Sequence, residues 1–172
     1  MPELPEAEVV ARQLRASLIG ARLTDMWVGR SDIIRDGGTS LSWYPGATLQ
    51  QVERFGKSVA LQFVKEQSTR YVVAELGMTG LLLFPSAQTK HPQHVHARMS
   101  FNGGRESELR YWNPRRFGRL SLLDRAGLER YVARRFGCDP LTVSREEFHR
   151  LISECRGRLK PLLMHQQAVA GI

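Results

Sequence analysis

The chain opens Met1-Pro2-Glu3-Leu4-Pro5-Glu6. Methionine before proline is normally removed, and its removal leaves a secondary amine at the chain start. An α-amino group titrates near about pH 8, so a neutral, nucleophilic fraction exists at physiological pH without a buried lysine. Such an amine adding to a sugar C1′ forms an iminium, which acidifies the C2′ protons and lets a 3′ phosphate leave. Glu3, next in the chain, is placed to protonate the ring oxygen or shuttle the proton. The same residues have a plainer reading. Pro2 and Pro5 suit the first turn of a helix, and Glu3, Glu6 and Glu8 suit its positive end.

The opening feeds a helix. Ala7, Val10, Leu14 and Leu18 form one apolar stripe between Pro5 and Ile19, with Gly20 beyond its end, so the nucleophile candidate sits at a helix N-terminus. From Ala21 to Leu123 the texture changes to short β-type runs: 59–63, 71–74, 81–84, 97–101, 109–112 and 119–123. Asn102-Gly103 is a hairpin signal. This spacing predicts a two-sheet antiparallel β-sandwich behind the N-terminal helix, an α+β fold. After Asp124, residues 127–136, 144–156 and 159–168 read as helices, with Ser144 and Glu147 in capping-box spacing. We expect residues 1–124 to form one domain and 125–172 the start of another, with Gly137-Cys138-Asp139-Pro140 as the hinge. The end at Gly171-Ile172, inside an apolar run, reads as a cut through a larger unit.

Charge narrows the partner. The net charge is +8, and residues 105–160 hold 14 Lys/Arg against 8 Asp/Glu. Arginine dominates that stretch, which suits bidentate phosphate contacts; a solvated surface, RNA or acidic lipid remain open on charge alone. No apolar run approaches the roughly 20 residues of a membrane span. The first thirty residues interleave charges with hydrophobics as no signal peptide does, so we expect a cytoplasmic protein. Cys138 and Cys155 are too few and too far apart for a disulfide framework or a metal knuckle, and read as reduced thiols. Alternation puts His94 and His96 on one strand face with His91 nearby, but no Cys, Asp or Glu lies close enough to complete a metal shell.

Six motifs then occur in order: Pro2-Glu3-Leu4-Pro5-Glu6, Arg54-Phe55-Gly56-Lys57, Leu76-Gly77-Met78-Thr79-Gly80, Asn113-Pro114-Arg115-Arg116-Phe117-Gly118, Gly137-Cys138-Asp139-Pro140-Leu141, and Lys160-Pro161-Leu162-Leu163-Met164 with Val169-Ala170-Gly171-Ile172. Together they resemble the formamidopyrimidine-DNA glycosylase family, relatives of endonuclease VIII, over the whole chain. The resemblance implies Pro2 as Schiff-base nucleophile, Glu3 as proton donor, Glu6 as a support of the site, and Lys57 as a phosphate contact acting in elimination. It implies that Met78, Arg115 and Phe117 fill the hole left by an everted nucleotide and that His91 touches DNA; Arg156 or Arg158 is expected to supply another phosphate contact. Filling that hole recovers part of the few kcal/mol that extrusion costs.

The implied activity is excision of oxidised purines (8-oxoguanine, formamidopyrimidines) from damaged double-stranded DNA by a monomer, with β,δ-elimination at the abasic site. The alternatives are an oxidised-pyrimidine glycosylase/lyase of the endonuclease VIII branch and a non-catalytic DNA-binding fragment. The first 172 residues of such a protein stop within the helix-two-turn-helix module. The family's zinc finger lies beyond them, so no cofactor is expected in this chain, and DNA affinity should fall with the absent phosphate contacts. Three positions depart from the family: Glu75 where His is usual, His96 where Asp is usual, and His165 where Asp is common. A carboxylate at Glu75, close to Met78, is expected to disfavour DNA slightly.

Overall fold

The structure, a computed structural model, describes residues 2–35, 39–89 and 91–172. Met1, whose removal the sequence leads us to expect, lies outside the described residues. Helix α1 (Leu4–Leu18) buries Leu4, Ala7, Ala11, Leu14 and Leu18, with Val10 half-buried. Gly20, with φ +85°, takes the left-handed position just beyond the C-cap Ile19, where glycine carries no Cβ penalty.

The strands are β1 (Arg22–Val28), β2 (Ile34–Arg35), β3 (Thr48–Phe55), β4 (Ser58–Lys65), β5 (Ser68–Glu75), β6 (Leu81–Leu83), β7 (Val95–Asn102), β8 (Glu108–Trp112) and β9 (Leu120–Leu123). They hydrogen-bond in the order β2-β9-β5-β4-β3-β1-β7-β8-β6, antiparallel throughout except for the short parallel pair β2/β9. The two halves of this sheet join where β1 pairs with β3 at Arg22↔Thr48, flanked by Leu23 N–H to Ala47 O at 2.8 Å and Leu49 N–H to Ala21 O at 2.9 Å. Strands in a flat sheet lie about 4.8 Å apart, so β4 and β7, three steps apart, would be separated by roughly 14 Å. Instead the Phe63 and Phe101 rings stack with centroids 6.3 Å apart. Tyr111 on β8 donates to the carbonyl of Glu75 on β5 at 2.6 Å, across five steps. The sheet therefore doubles over at the Arg22/Thr48 corner, and the expected sandwich is two layers of one continuous sheet. Ala7, Leu14 and Leu18 of α1 join the core with Leu49, Leu61, Phe63, Val72, Met99 and Tyr111.

Helices α2 (Arg125–Arg135), α3 (Arg145–Ser153) and α4 (Leu159–Met164) follow. Leu128 and Tyr131 of α2 pack with Ala60, Tyr71, Val73 and Leu123 in a second apolar cluster on β4, β5 and β9. Ser144 caps α3 by accepting from the Glu147 N–H at 3.1 Å, one half of the expected capping box. Helix α4 is shorter than its apolar run suggests. Residues beyond Met164 turn back, and the 137–139 segment is strapped to them: Gly137 N–H to Gln166 O at 2.9 Å, Cys138 N–H to Ala168 O at 3.0 Å, and Ala170 N–H to Cys138 O at 2.9 Å. The expected hinge is thus a tied segment. No helix among the described residues is long and apolar enough to cross a membrane.

Candidate active site

The chain start is held from two sides. The Glu3 N–H donates to the Glu6 carboxylate at 2.9 Å. That bond, with the Glu6 N–H, pulls the Glu6 carboxyl below its ordinary value, and the charge of Lys57 adds to the effect. The Leu4 N–H donates to Gly171 O at 2.9 Å. Gly171 has φ +95°, and a Cβ there would lie 2.7 Å from Leu4 Cβ, so glycine alone allows this approach. Pro2, next to Glu3 in the chain, is buried and lines neither of the two cavities at this end of the molecule.

Lys57 arrives on the tight β3–β4 turn, where Gly56 has φ +55° and Phe136 packs so closely that a Cβ would meet its ring at 2.8 Å. The Leu76 N–H reaches Lys57 O at 3.4 Å, tying this turn to the loop after β5. Glu3 and Lys57 line one cavity of about 590 Å³, whose opposite wall is Leu159, Lys160, Leu163 and Met164 of α4. A neighbouring cavity of about 600 Å³ shares Lys57 and Met164 and continues to Glu75, Gly77 and Arg135. A carboxylate and a lysine are thus gathered in a recess whose other walls are largely apolar.

Arg54 holds this arrangement in place. Its side chain is 4% exposed; Nε donates to Glu8 on α1 at 3.0 Å, one terminal nitrogen to Asp139 at 2.5 Å, and the other to Gly56 O at 3.2 Å. One guanidinium therefore links α1, the Lys57 turn and the 137–139 segment. The sequence offered Arg54 and Lys160 only as motif members. Their neighbours lie too far off in sequence to be read from spacing.

Met78, Arg115 and Phe117 come together on two adjoining loops. A Cβ on Gly77, φ +58°, would lie 2.7 Å from Gly118 N and 3.0 Å from Phe117 C, so the two backbones are in contact. Met78 and Phe117 are exposed, and the Arg115 guanidinium lies over the Phe117 ring at 4.9 Å. Buried Asn113 fixes the second loop by donating to Tyr111 Oη at 3.1 Å and Gly118 O at 3.0 Å. Apolar tips on a braced base can enter a base stack without the base deforming.

His91 is exposed at the start of the segment leading into β7, where its carbonyl accepts from Trp112 Nε1 at 2.9 Å. The same segment meets the second loop through Asn113 N–H to His94 O at 2.9 Å. The His94 and His96 rings do lie on one side, with centroids 6.5 Å apart, although His94 precedes β7. His94 ends a 3-10 turn, while His96 is buried with Nε2 3.0 Å from Asn113 O. Burial lowers its pKa. Arg156 and Arg158 are exposed between α3 and α4 and line neither cavity described above. Among the described residues no group of three or more His, Cys, Asp or Glu could hold a metal ion, so a four-cysteine zinc site does not fit this chain's two cysteines.

Glu75 corrects the expectation of a bare carboxylate beside Met78. Its Oε1 lies 2.8 Å from Arg135, 3.5 Å from Arg35 and 3.2 Å from Tyr131 Oη. The substitution comes with its own counter-charges. Nothing in the structure explains His165.

Residues 1–120 match the family model described as the formamidopyrimidine-DNA glycosylase N-terminal domain. Over the whole chain, the formamidopyrimidine-DNA glycosylases of Herpetosiphon aurantiacus and Thermomicrobium roseum are 32% and 34% identical, and the chain spans 63% and 64% of their lengths. Among solved structures, MutM (Fpg) from Thermus thermophilus superposes with TM-score 0.78 at 30% identity, over 99% of this chain and 60% of that one. An inhibited LlFpg in complex with DNA containing N7-benzyl-Fapy-dG superposes with TM-score 0.79 at 25% identity, over 99% and 63%. The match over residues 1–120, with the fold and the ordered motifs, shows that this chain belongs to the formamidopyrimidine-DNA glycosylase family.

Proposed function

We propose that the chain is the catalytic part of a base-excision-repair DNA glycosylase and abasic-site lyase. Its partner is damaged double-stranded DNA, and its substrates are oxidised purines, 8-oxoguanine and formamidopyrimidines. The observation that carries this reading is the recess that joins Glu3, the residue after Pro2, and Lys57 at the N-terminus of α1. The LlFpg relative bound to Fapy-dG-containing DNA supports the choice of purine lesions.

In this reading the nucleotide is everted into the recess while Met78, Arg115 and Phe117 occupy the gap in the duplex. The Pro2 nitrogen lone pair attacks C1′, the bond to the base breaks with its electron pair leaving on the base, and the proton that the Pro2 nitrogen sheds neutralises the departing base. Glu3 gives its proton to the ring oxygen as the sugar opens, and an iminium joins Pro2 to C1′. Loss of a C2′ proton expels the 3′ phosphate, and loss of a further sugar proton expels the 5′ phosphate. Lys57 neutralises phosphate charge as it departs, and Glu6, kept ionised, holds the Glu3 backbone in place. His91, Arg156 and Arg158 contact flanking phosphates. Residues 1–124 act as the catalytic unit and 125–172 as the beginning of a helix-two-turn-helix module, in a cytoplasmic monomer.

The test is borohydride trapping on an abasic-site duplex, with the processed N-terminus verified by mass. A covalent adduct is expected, and none is expected after N-terminal acylation. Salt-sensitive binding with no adduct from the processed chain would overturn the enzymatic reading in favour of a non-catalytic DNA-binding fragment.

A further inference from the structure

The solvent face of β1, β7 and β8 carries a row of residues that neither the Pro2 recess nor the paired loops use. In register, Trp27 on β1 stands opposite Arg98 on β7, and Arg98 stands opposite Arg110 on β8. Two arginines directly opposed on antiparallel neighbours repel each other, a cost that an anion lying across them removes. Arg110 is partly relieved by Glu108 at 2.5 Å. Arg98 instead lies over the Trp27 indole, its guanidinium carbon 4.5 Å from the ring, and the tryptophan remains 42% exposed. The ring folds back over Gly29, where a Cβ would lie 2.7 Å from Cζ2. The indole's position therefore depends on the glycine beneath it.

This indole borders two clefts of about 420 and 430 Å³. Arg30, His94 and Arg116 line the first, Arg98 and Arg110 the second. Among the described residues neither lining includes a carboxylate, although Asp32 pairs with Arg30 at 2.9 Å and approaches Arg116 at 3.7 Å from outside. The first cleft is also lined by Pro114, from the loop that bears Arg115 and Phe117. An exposed aromatic flanked by arginines is the chemistry that holds a nucleobase and its phosphates.

We propose that this row binds single-stranded DNA, one base stacking on Trp27 in place of the Arg98 guanidinium and the adjoining phosphates lying along Arg98 and Arg110. Bases inside a duplex already have both faces stacked, so a duplex offers the arginines its phosphates but offers the indole nothing. The site is independent of the chemistry at Pro2. Its position beside the 113–118 loop suits the frayed strand on one side of a lesion or nick.

The experiment titrates a labelled eight-nucleotide oligothymidylate into the full chain at low salt, reading anisotropy and indole emission, with a duplex of the same length in parallel. Trp27→Ala should weaken the single strand about tenfold and the duplex by less than about twofold. Trp27→Phe should retain most of the affinity, and keeps the test readable should the alanine loosen the strand. Arg98→Gln should weaken binding and flatten its salt dependence. Equal binding of the single strand by wild type and both Trp27 variants would overturn the proposal, and so would equal losses on single strand and duplex. Borohydride trapping on an abasic duplex, measured with the same proteins, is expected to be unchanged by Trp27→Ala. Trapping absent throughout, with the oligothymidylate results as expected, would count against the Pro2 reading and leave this one standing.

Discussion

Arg54→Met removes a side chain that ties α1, the Lys57 turn and the 137–139 segment together. The loss can be sized from its partners. Glu8 keeps Arg12 at 2.9 Å and Arg15 at 3.2 Å, whereas Asp139 loses a 2.5 Å ion pair and Gly56 O loses a donor. Removing one partner of a buried pair costs about 3–5 kcal/mol. Asp139 is 25% exposed and Glu8 16%, so water recovers part of that, and we expect about 2–3 kcal/mol. For a chain of this size that is a fall in Tm of roughly 4–12 °C. The effect depends on pH with a definite sign. Burial pushes the Glu8 carboxyl up, but hydrogen bonds from Arg12, Arg54 and Arg15 prevail and hold it below its ordinary 4.5. A carboxyl depressed in the folded state contributes fully above 4.5, and the contribution disappears as pH falls through its lower folded value. The gap between wild type and Arg54→Met should therefore narrow in acid. Thermal melts followed by circular dichroism across this range measure it. A gap under about 1 kcal/mol at neutral pH, or one that does not change down to the acid limb, would refute the linkage role.

Gly77→Ala places a Cβ against the Phe117–Gly118 backbone at a positive φ; the left-handed conformation alone costs about 1–2 kcal/mol. A lower Tm together with weaker duplex binding is expected, and a variant as stable as wild type would contradict the loop packing. Glu75→Gln weakens two ion pairs at a cost of about 1 kcal/mol, yet frees Arg135 and Arg35 for phosphate. The salt dependence of duplex binding should steepen by about one unit, and an unchanged slope would show that those arginines do not face DNA. His96, its pKa lowered from 6.5 by burial, takes up a proton more readily when unfolded, so stability should be full above 6.5 and decline as pH falls below it. His96→Gln should remove that decline, as melts on either side of this pH would show.

The sequence makes the period of α1, the alternation at the start of β4 and the short apolar runs of β5 and β8 plain, because local residue type alone marks them. It hides β1 and β3 because each carries a bulge, at Leu23/Asp25 and at Leu49/Gln51. A bulge puts an extra residue into the strand and breaks the two-residue alternation on which strand reading depends. α4 is over-read for a different reason. Its apolar run continues past Met164, but Val169 and Ala170 are buried by the return of the backbone to Cys138, a contact no local pattern encodes. The site divides in the same way. Glu3, Lys57, Met78 and Phe117 stand in motifs with glycine or proline neighbours and can be found in the sequence. The Arg54 linkage spans 46 residues to Glu8 and 85 to Asp139, so only the fold reveals it.

Glu75 shows why a charge count alone misjudges such a surface. Read singly, a carboxylate one turn from Met78 repels a phosphate. In the folded chain it lies between two guanidiniums, so the cluster is still positive by one charge, and Arg135 is held on the wall of a cavity that also contains Lys57. Tyr131 extends the cluster inward, its hydroxyl within 3.2 Å of Glu75 and 3.1 Å of Ser58, the residue after Lys57. The carboxylate expected to oppose DNA therefore fastens α2 to the strand that leads into the Met78 loop. Its replacement should alter two properties in opposite directions, raising the positive charge available to a phosphate while loosening the support beneath the loop.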